Sequence, residues 1–102
     1  MPYVYANVKV RYGQLPAFYE QMVTIKRVME ENGWKLMGAW STLIGDIHEV
    51  HDLWEVADAN TVSNGFAGAF ENPEFAAASA QLSTIADREV LSLVTKTPYS
   101  PQ

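Results

Sequence analysis

A chain of 102 residues suffices for one domain with one core, and folding it should remove ~60–70% of the unfolded surface from water. Hydrophobic residues make up 48% of it, cysteine is absent, and 12 acidic residues against 7 basic ones leave a net charge of −5. These values exclude intrinsic disorder, disulfides, thiolate catalysis and cysteine-held metal clusters, and they argue against a nucleic-acid partner, whose phosphates the chain would repel.

Residues 3–11 alternate with period two: Val4, Ala6, Val8 and Val10 form an apolar face, and Tyr3, Tyr5, Asn7, Lys9 and Arg11 an amphipathic one. This is a strand. Gly13 breaks it, and Pro16 suits the first turn of a helix, where its missing N–H would have no partner anyway. Leu15, Phe18, Met22, Ile25 and Met29 then recur at three- and four-residue steps as one helical stripe, closed by Asn32-Gly33. Two strand-like runs follow, 34–44 and 47–56, separated by Gly45-Asp46, which reads as a tight hairpin turn. Asp58 or Asn60 can cap a second helical region with Val62, Phe66 and Phe70 four apart, in which Gly65 and Gly68 are expected to permit close packing. Asn72-Pro73-Glu74 opens a further helix with a buried stripe of Phe75, Ala78, Leu82 and Ile85. Residues 88–95 make the last strand, and 98–101 an extended tail. No apolar run is long enough to span a membrane, and residues 1–11 lack the layout of a signal peptide, so the expected location is cytoplasmic.

The order β-α-β-β-α-β predicts an α+β, ferredoxin-like domain over residues 1–102: a four-stranded antiparallel sheet with the helices on one face. The other face cannot be fully polar. With Val50, Trp54 and Val56 on one side of 47–56, Leu53 is left on the other. A second copy of the chain is the simplest cover, so a homodimer is expected.

The decapeptide 47–56, IHEVHDLWEV, concentrates the titratable groups. His48 and His51 point to opposite faces of a strand and cannot share a metal ion. His48 and Asp52 share a face but lie ~13 Å apart, which excludes a dyad between them. A two-residue turn at Gly45-Asp46 sets Trp40 opposite His51, Ser41 opposite Val50 and Met37 opposite Trp54. His51, beside Glu49 and an aromatic neighbour, could then serve as an acid or base near neutral pH, or simply be a hydrogen-bonded surface group. Asp52, on the face of Trp54, needs a partner if buried, and a salt bridge to Lys9, Arg11 or Arg88 is the expected one. Tyr3, Tyr5 and Asn7 bring hydrogen-bonding groups to one face, to orient a ligand or to cement a dimer. Their amphipathic face is expected on the barrel side. No phosphate loop, nucleophile elbow or metalloprotease motif occurs.

Several stretches resemble the NIPSNAP family of dimeric α+β barrel proteins. They are Gly13-Gln14-Leu15 with Phe18, the Gly38-x-Trp40-x-Thr42-x-x-Gly45 run, Leu53-Trp54, Asn72-Pro73-Glu74-Phe75 and the tail Thr97–Pro101. The resemblance covers essentially the whole chain. Where that family tends to carry an acid, an arginine and a tyrosine in its first strand, this chain has Val4, Ala6 and Val8. Where the family often has histidine two before the tryptophan, Asp52 stands, with His51 one earlier. The wider superfamily includes heme-degrading and quinone-forming monooxygenases, muconolactone-type isomerases and aromatic cyclases, which hold small molecules between sheet and helices. Asn7 and Trp54 fall where the heme degraders use an asparagine and a tryptophan, whereas Ser79 stands near the place of their heme-ligating histidine. The resemblance therefore implies no heme ligation of that kind, and no metal site is expected.

Three functions follow as expectations. The first is an enzyme of the cofactor-independent monooxygenase, cyclase or isomerase type acting on a small aromatic or hydrophobic substrate. In it Tyr3, Tyr5, Trp40 and Trp54 hold the substrate, Asn7 orients it, and His51 or Asp52 moves a proton. The second is a homodimeric module that binds a hydrophobic ligand, heme being the candidate, without turning it over. The third is a purely structural dimer.

Overall fold

A computed structural model describes residues 1–101. The elements are β1 (Tyr3–Val10), α1 (Leu15–Glu31), β2 (Lys35–Ser41), β3 (Glu49–Glu55), α2 (Ala59–Phe70), α3 (Pro73–Ile85) and β4 (Ala86–Val94). All strand pairs are antiparallel, in the order β2-β3-β1-β4. This is the ferredoxin-like α+β fold, with two helices rather than one in the second crossover.

The helices cover the face of β1 that carries Val4, Ala6, Val8 and Val10, each at most 5% exposed. From α1 come Phe18, Ile25 and Met29 of the expected stripe, together with Val28, which lies one step off it. From α3 come Phe75, Ala78 and Ile85. In α2 the stripe is displaced: Gly65 and Ala69 are buried, while Phe70 is exposed. Small residues win there because Trp34 and Asn32 press against the helix. A Cβ at Gly65 would lie 2.4 Å from Trp34 Nε1, and one at Gly68 2.2 Å from Asn32 Oδ1. Trp34 uses that nitrogen to donate to the Thr61 carbonyl at 3.1 Å.

Capping follows the sequence signals. Asp58 accepts from the Thr61 amide and Asn72 from the Glu74 amide, each at 2.9 Å. Gly33 takes φ +95° after α1.

The hairpin departs from the simplest expectation. Trp40 pairs with His51 and Ser41 with Val50, but Leu36, not Met37, faces Trp54, because the register shifts between Leu36 and Gly38. The bulge lets the Trp40 indole lie on Gly38, where a Cβ would come within 2.5 Å of the ring. β2 and β3 are also shorter than predicted, leaving 42–48 as a loop on which Leu43 and Ile44 are about 90% exposed.

The core falls into two clusters. One gathers Val4, Trp34, Trp54, Val56 and Phe75 with the middle of α1; the other gathers Val8, Val10, Phe18, Val50 and Ile85. Only the partly buried Met22 and Leu82 pack against both. Paired across β1 and β3, Ala6 and Asp52 belong to neither cluster. The smallest side chain of β1 and the buried acid of β3 thus mark a gap between two hydrophobic halves.

Candidate active site

The gap is a cavity of about 50 Å³ walled by Ala6, Val8, Met22, Ile25, Met29, Trp34, Asp52, Trp54, Phe66, Leu82, Glu89 and Leu91. Two larger clefts share its lining residues. On the flank of α1 and β2, a cleft of about 270 Å³ is lined by Phe18, Tyr19, Met22, Lys26, Leu36, Ala39, Trp40, Ser41, Val50 and Asp52. On the flank of α3 and β4, one of about 290 Å³ is lined by Val8, Ser79, Leu82, Ser83, Ala86, Asp87, Arg88 and Glu89. Asp52 is common to the first cleft and the cavity, Glu89 to the second cleft and the cavity.

Asp52 is 4% exposed, the one charged residue of the core. The expected salt bridge is not formed, because every candidate cation is engaged elsewhere. Lys9 pairs with Asp46, Arg11 with Asp87, and Arg88 with Glu49. The side chains of Lys9, Arg11 and Arg88 alternate to the far face of the sheet or lie at its end, whereas Asp52 points at the helices. No hydrogen bond reaches its carboxylate among the described residues, yet no sealed polar atom lacks a partner, so the oxygens open onto the cavity space. Burial, reinforced by the negative charge of Glu89, pushes its pKa up to about 6, with a smaller opposing pull from His51. Glu89 is likewise raised by burial, although the edge position of β4 leaves one flank of the residue open to solvent.

His51, the next residue along the strand, points the other way. On the helix-free face it is the hub of a chain of hydrogen bonds whose polarity can be read from one end. Arg88 Nη2 can only donate, and does so to Asn7 Oδ1 at 3.1 Å, which fixes the amide orientation. The amide nitrogen then donates to His51 Nδ1 at 3.2 Å, beside the Tyr5 hydroxyl at 2.6 Å. Nδ1 is therefore the acceptor, and Nε2 donates to Thr42 Oγ1 at 2.8 Å. The Thr42 hydroxyl in turn donates to the Glu49 carbonyl at 3.2 Å. Both ring nitrogens are occupied.

The candidate residues thus divide. Asp52 and Trp54 line the cavity, and Trp40 the cleft beside it. Asn7, His51, Tyr5 and Tyr3 lie across the sheet, so they do not share a site with Asp52. Asn7 and Trp54 likewise occupy opposite faces and cannot touch one ligand in the manner of the heme degraders. No imidazole lines the clefts or the cavity, and no cluster of three metal-ligating side chains occurs among the described residues. His48 sits on the 42–48 loop, its ring 5.1 Å from that of Tyr12. Glu89 was not singled out from the sequence. It follows Arg88 in the last strand, and only the pairing of Val8 with Glu89 places it on the helix side.

A four-stranded antiparallel sheet under helices, with a cleft between the two layers, is the architecture of ferredoxin-like α+β proteins. The NIPSNAP family matches residues 4–101, and the chain belongs to that family. It is similar to an uncharacterized NIPSNAP domain protein from Burkholderia xenovorans (TM-score 0.85, 14% identity, 100% of each chain covered). It is also similar to a NIPSNAP family protein with unknown function from Agrobacterium tumefaciens (TM-score 0.87, 16% identity, 99% of this chain and 92% of that one). A Nitrosomonas europaea protein described as a candidate antibiotic biosynthesis monooxygenase shares the fold at TM-score 0.71 and 9% identity, over 94% of this chain and 98% of that one. No curated protein matches the chain.

Proposed function

We propose that the protein is a small-molecule enzyme of the cofactor-independent monooxygenase, cyclase or isomerase type, with Asp52 as its general base. The observation that carries this reading is a carboxylate 4% exposed, unpartnered, and opening onto a cleft among aromatic side chains. A buried charge without a partner is costly, and such a cost persists where a ligand supplies the missing donor. The cleft, at about 270 Å³, lies near the lower end of ordinary ligand sites (~300–1,000 Å³), which suits a molecule of one or two rings. Phe18 and Tyr19 offer flat apolar surface to it, with Trp54 behind Asp52. The first step common to the three reaction types is removal of a proton from an acidic C–H or O–H of the substrate. Asp52, with its pKa near 6, is largely ionised at neutral pH yet more basic than an exposed carboxylate.

The test is Asp52-dependent hydrogen–deuterium exchange at the acidic C–H of a bicyclic ketone such as 2-tetralone, followed by NMR. Wild type should accelerate exchange, and Asp52→Asn should lower the rate ~10²–10⁴-fold. The wild-type rate should rise with pH through about 6 and then level, because the base works only when ionised. Saturable binding without exchange would instead assign a binding module.

The proposal includes a homodimer joined through the helix-free face. That face carries Trp40, Val90 and Val94, 56%, 47% and 40% exposed, around the His51 network. Covering it with a second copy would bury these side chains and leave Asn7, Tyr5 and Tyr3 to hold the two sheets together.

A further inference from the structure

The cleft that opens onto Asp52 carries a charge of the opposite sign at its outer end. We infer that its substrate is a compact enolisable ketone with an acidic C–H directed inward to Asp52 and a carboxylate at the far end held by Lys26, which makes Lys26 a specificity-determining residue. This rests on the reading of Asp52 as the base and adds the charge and the orientation of the substrate.

One flank of α1 builds the wall. Tyr19, Met22 and Lys26 line the cleft at three- and four-residue steps, and Glu30 continues the row one turn on. Opposite them, β2 turns Leu36, Ala39 and Ser41 to the helix side, where they pair with Trp54, Asp52 and Val50. Ala39 is the small one. Because β2 is an edge strand and sets only a methyl beside the acid, the cleft reaches Asp52 from the side. Met22 lines the cleft and the inner cavity alike, as Asp52 does, so it marks the inner end. Lys26 follows one helical turn later, ~6 Å along the axis. That offset, extended by the reach of the lysine side chain, suits a small ring system.

Charge is divided along this length. Asp52 is 4% exposed, whereas the side chain of Lys26 is 50% exposed and is the one cation among the described residues that line the cleft. Lys26 donates to Glu30 at 2.8 Å, an exposed pair within one helix and therefore a weak one. Glu30 also accepts from the Leu36 amide at 3.3 Å and feels the charge of Lys35, so it is not stranded when Lys26 turns to a ligand. A carboxylate at the mouth would meet the ammonium in water, a ring's length from Asp52. A carboxylate at the inner end would meet the buried acid with no counter-ion. The favourable direction of binding is the one that points the ketone inward.

Hydrogen–deuterium exchange of 2-tetralone bearing a carboxylate at C6, compared with its methyl ester, tests the inference. The two probes share one frame and differ in charge. Wild type should exchange the carboxylate with a kcat/KM at least ~5-fold above that of the ester, the difference lying in KM because the contact is remote from the reacting carbon. Lys26→Gln should bring the ratio to about 1, Lys26→Glu should take it lower still, and Lys26→Arg should keep the preference. If wild type handles the two probes equally or prefers the ester, or if the preference survives Lys26→Gln and Lys26→Glu, the inference is overturned, and exchange that still depends on Asp52 leaves the base in place. If neither probe exchanges faster with wild type than with Asp52→Asn, both readings fall together.

Discussion

Ionised Asp52 opposes folding. Its proton affinity rises about a hundredfold when the chain folds, from the ordinary carboxylate value of 3.8 to about 6. Between those two values the folded state holds a proton that the unfolded state has released. Stability attributable to this residue therefore falls as pH rises from about 4 to about 6 and is flat above, for a total cost on the order of 3 kcal/mol. Asp46, Asp58 and Glu30 act in the opposite sense, each lowered by the hydrogen bonds it accepts, but they cancel when a variant is compared with wild type. Asp52→Asn should consequently raise the melting temperature at pH 7.5 by at least about 4 °C, and the gain should vanish near pH 4. Calorimetry at the two pH values checks this; an unchanged or lower melting point at pH 7.5 would contradict it. A substitution that stabilises the fold while removing exchange activity is the pattern of a site kept at the expense of stability. That Asp52 needs a partner was legible from its place beside Trp54 in the strand pattern. That the partner is missing was not, because it depends on where Lys9, Arg11 and Arg88 find other acids.

Among the elements, α2 is where local signals were least sufficient. Val62 and Phe66 of the expected stripe do pack against the core, but the residues that α2 buries fully are Gly65 and Ala69, while Phe70 is exposed. The determinant lies outside the helix, in the bulk of Trp34 and Asn32 after α1, which a reading of α2 alone does not contain. Gly65→Ala should cost at least about 2 kcal/mol in chemical denaturation, since the methyl would displace the Trp34 indole and break its bond to Thr61. Asp58→Ala should cost about 1 kcal/mol through loss of the α2 cap. The bulge in β2 was equally hidden. Gly38 and Trp40 are visible as a pair, but only the observed contact shows that the ring needs the bare backbone beneath it.

For the whole molecule, element order carried most of the answer. Alternation in β1, the two proline-led helix starts and the Gly-Asp break predict βαββαβ, and right-handed crossovers leave few ways to arrange it. What local pattern could not separate was the ligand face from the assembly face, because both carry aromatic and polar side chains. Only the three-dimensional register divides them. The proposed homodimer makes a further prediction at this scale. Val90→Glu places a charge in the middle of the helix-free face, opposite Asn7, without touching the core. Sedimentation velocity should show a dimer for wild type and a shift toward monomer for the variant; a wild-type monomer at tens of micromolar would refute the assembly.

The relay that begins at Arg88 and ends at Thr42 visits β4, β1, β3 and the end of β2 in turn. Each link demands a donor or acceptor at one residue and no other. Sliding any strand by a single position would carry its member to the opposite side of the sheet and break the sequence of bonds there. Five side chains therefore act as a key that admits one alignment of four strands. Where the apolar surface of β1 is uniform valine and alanine and would tolerate a shift, this polar lock supplies the discrimination.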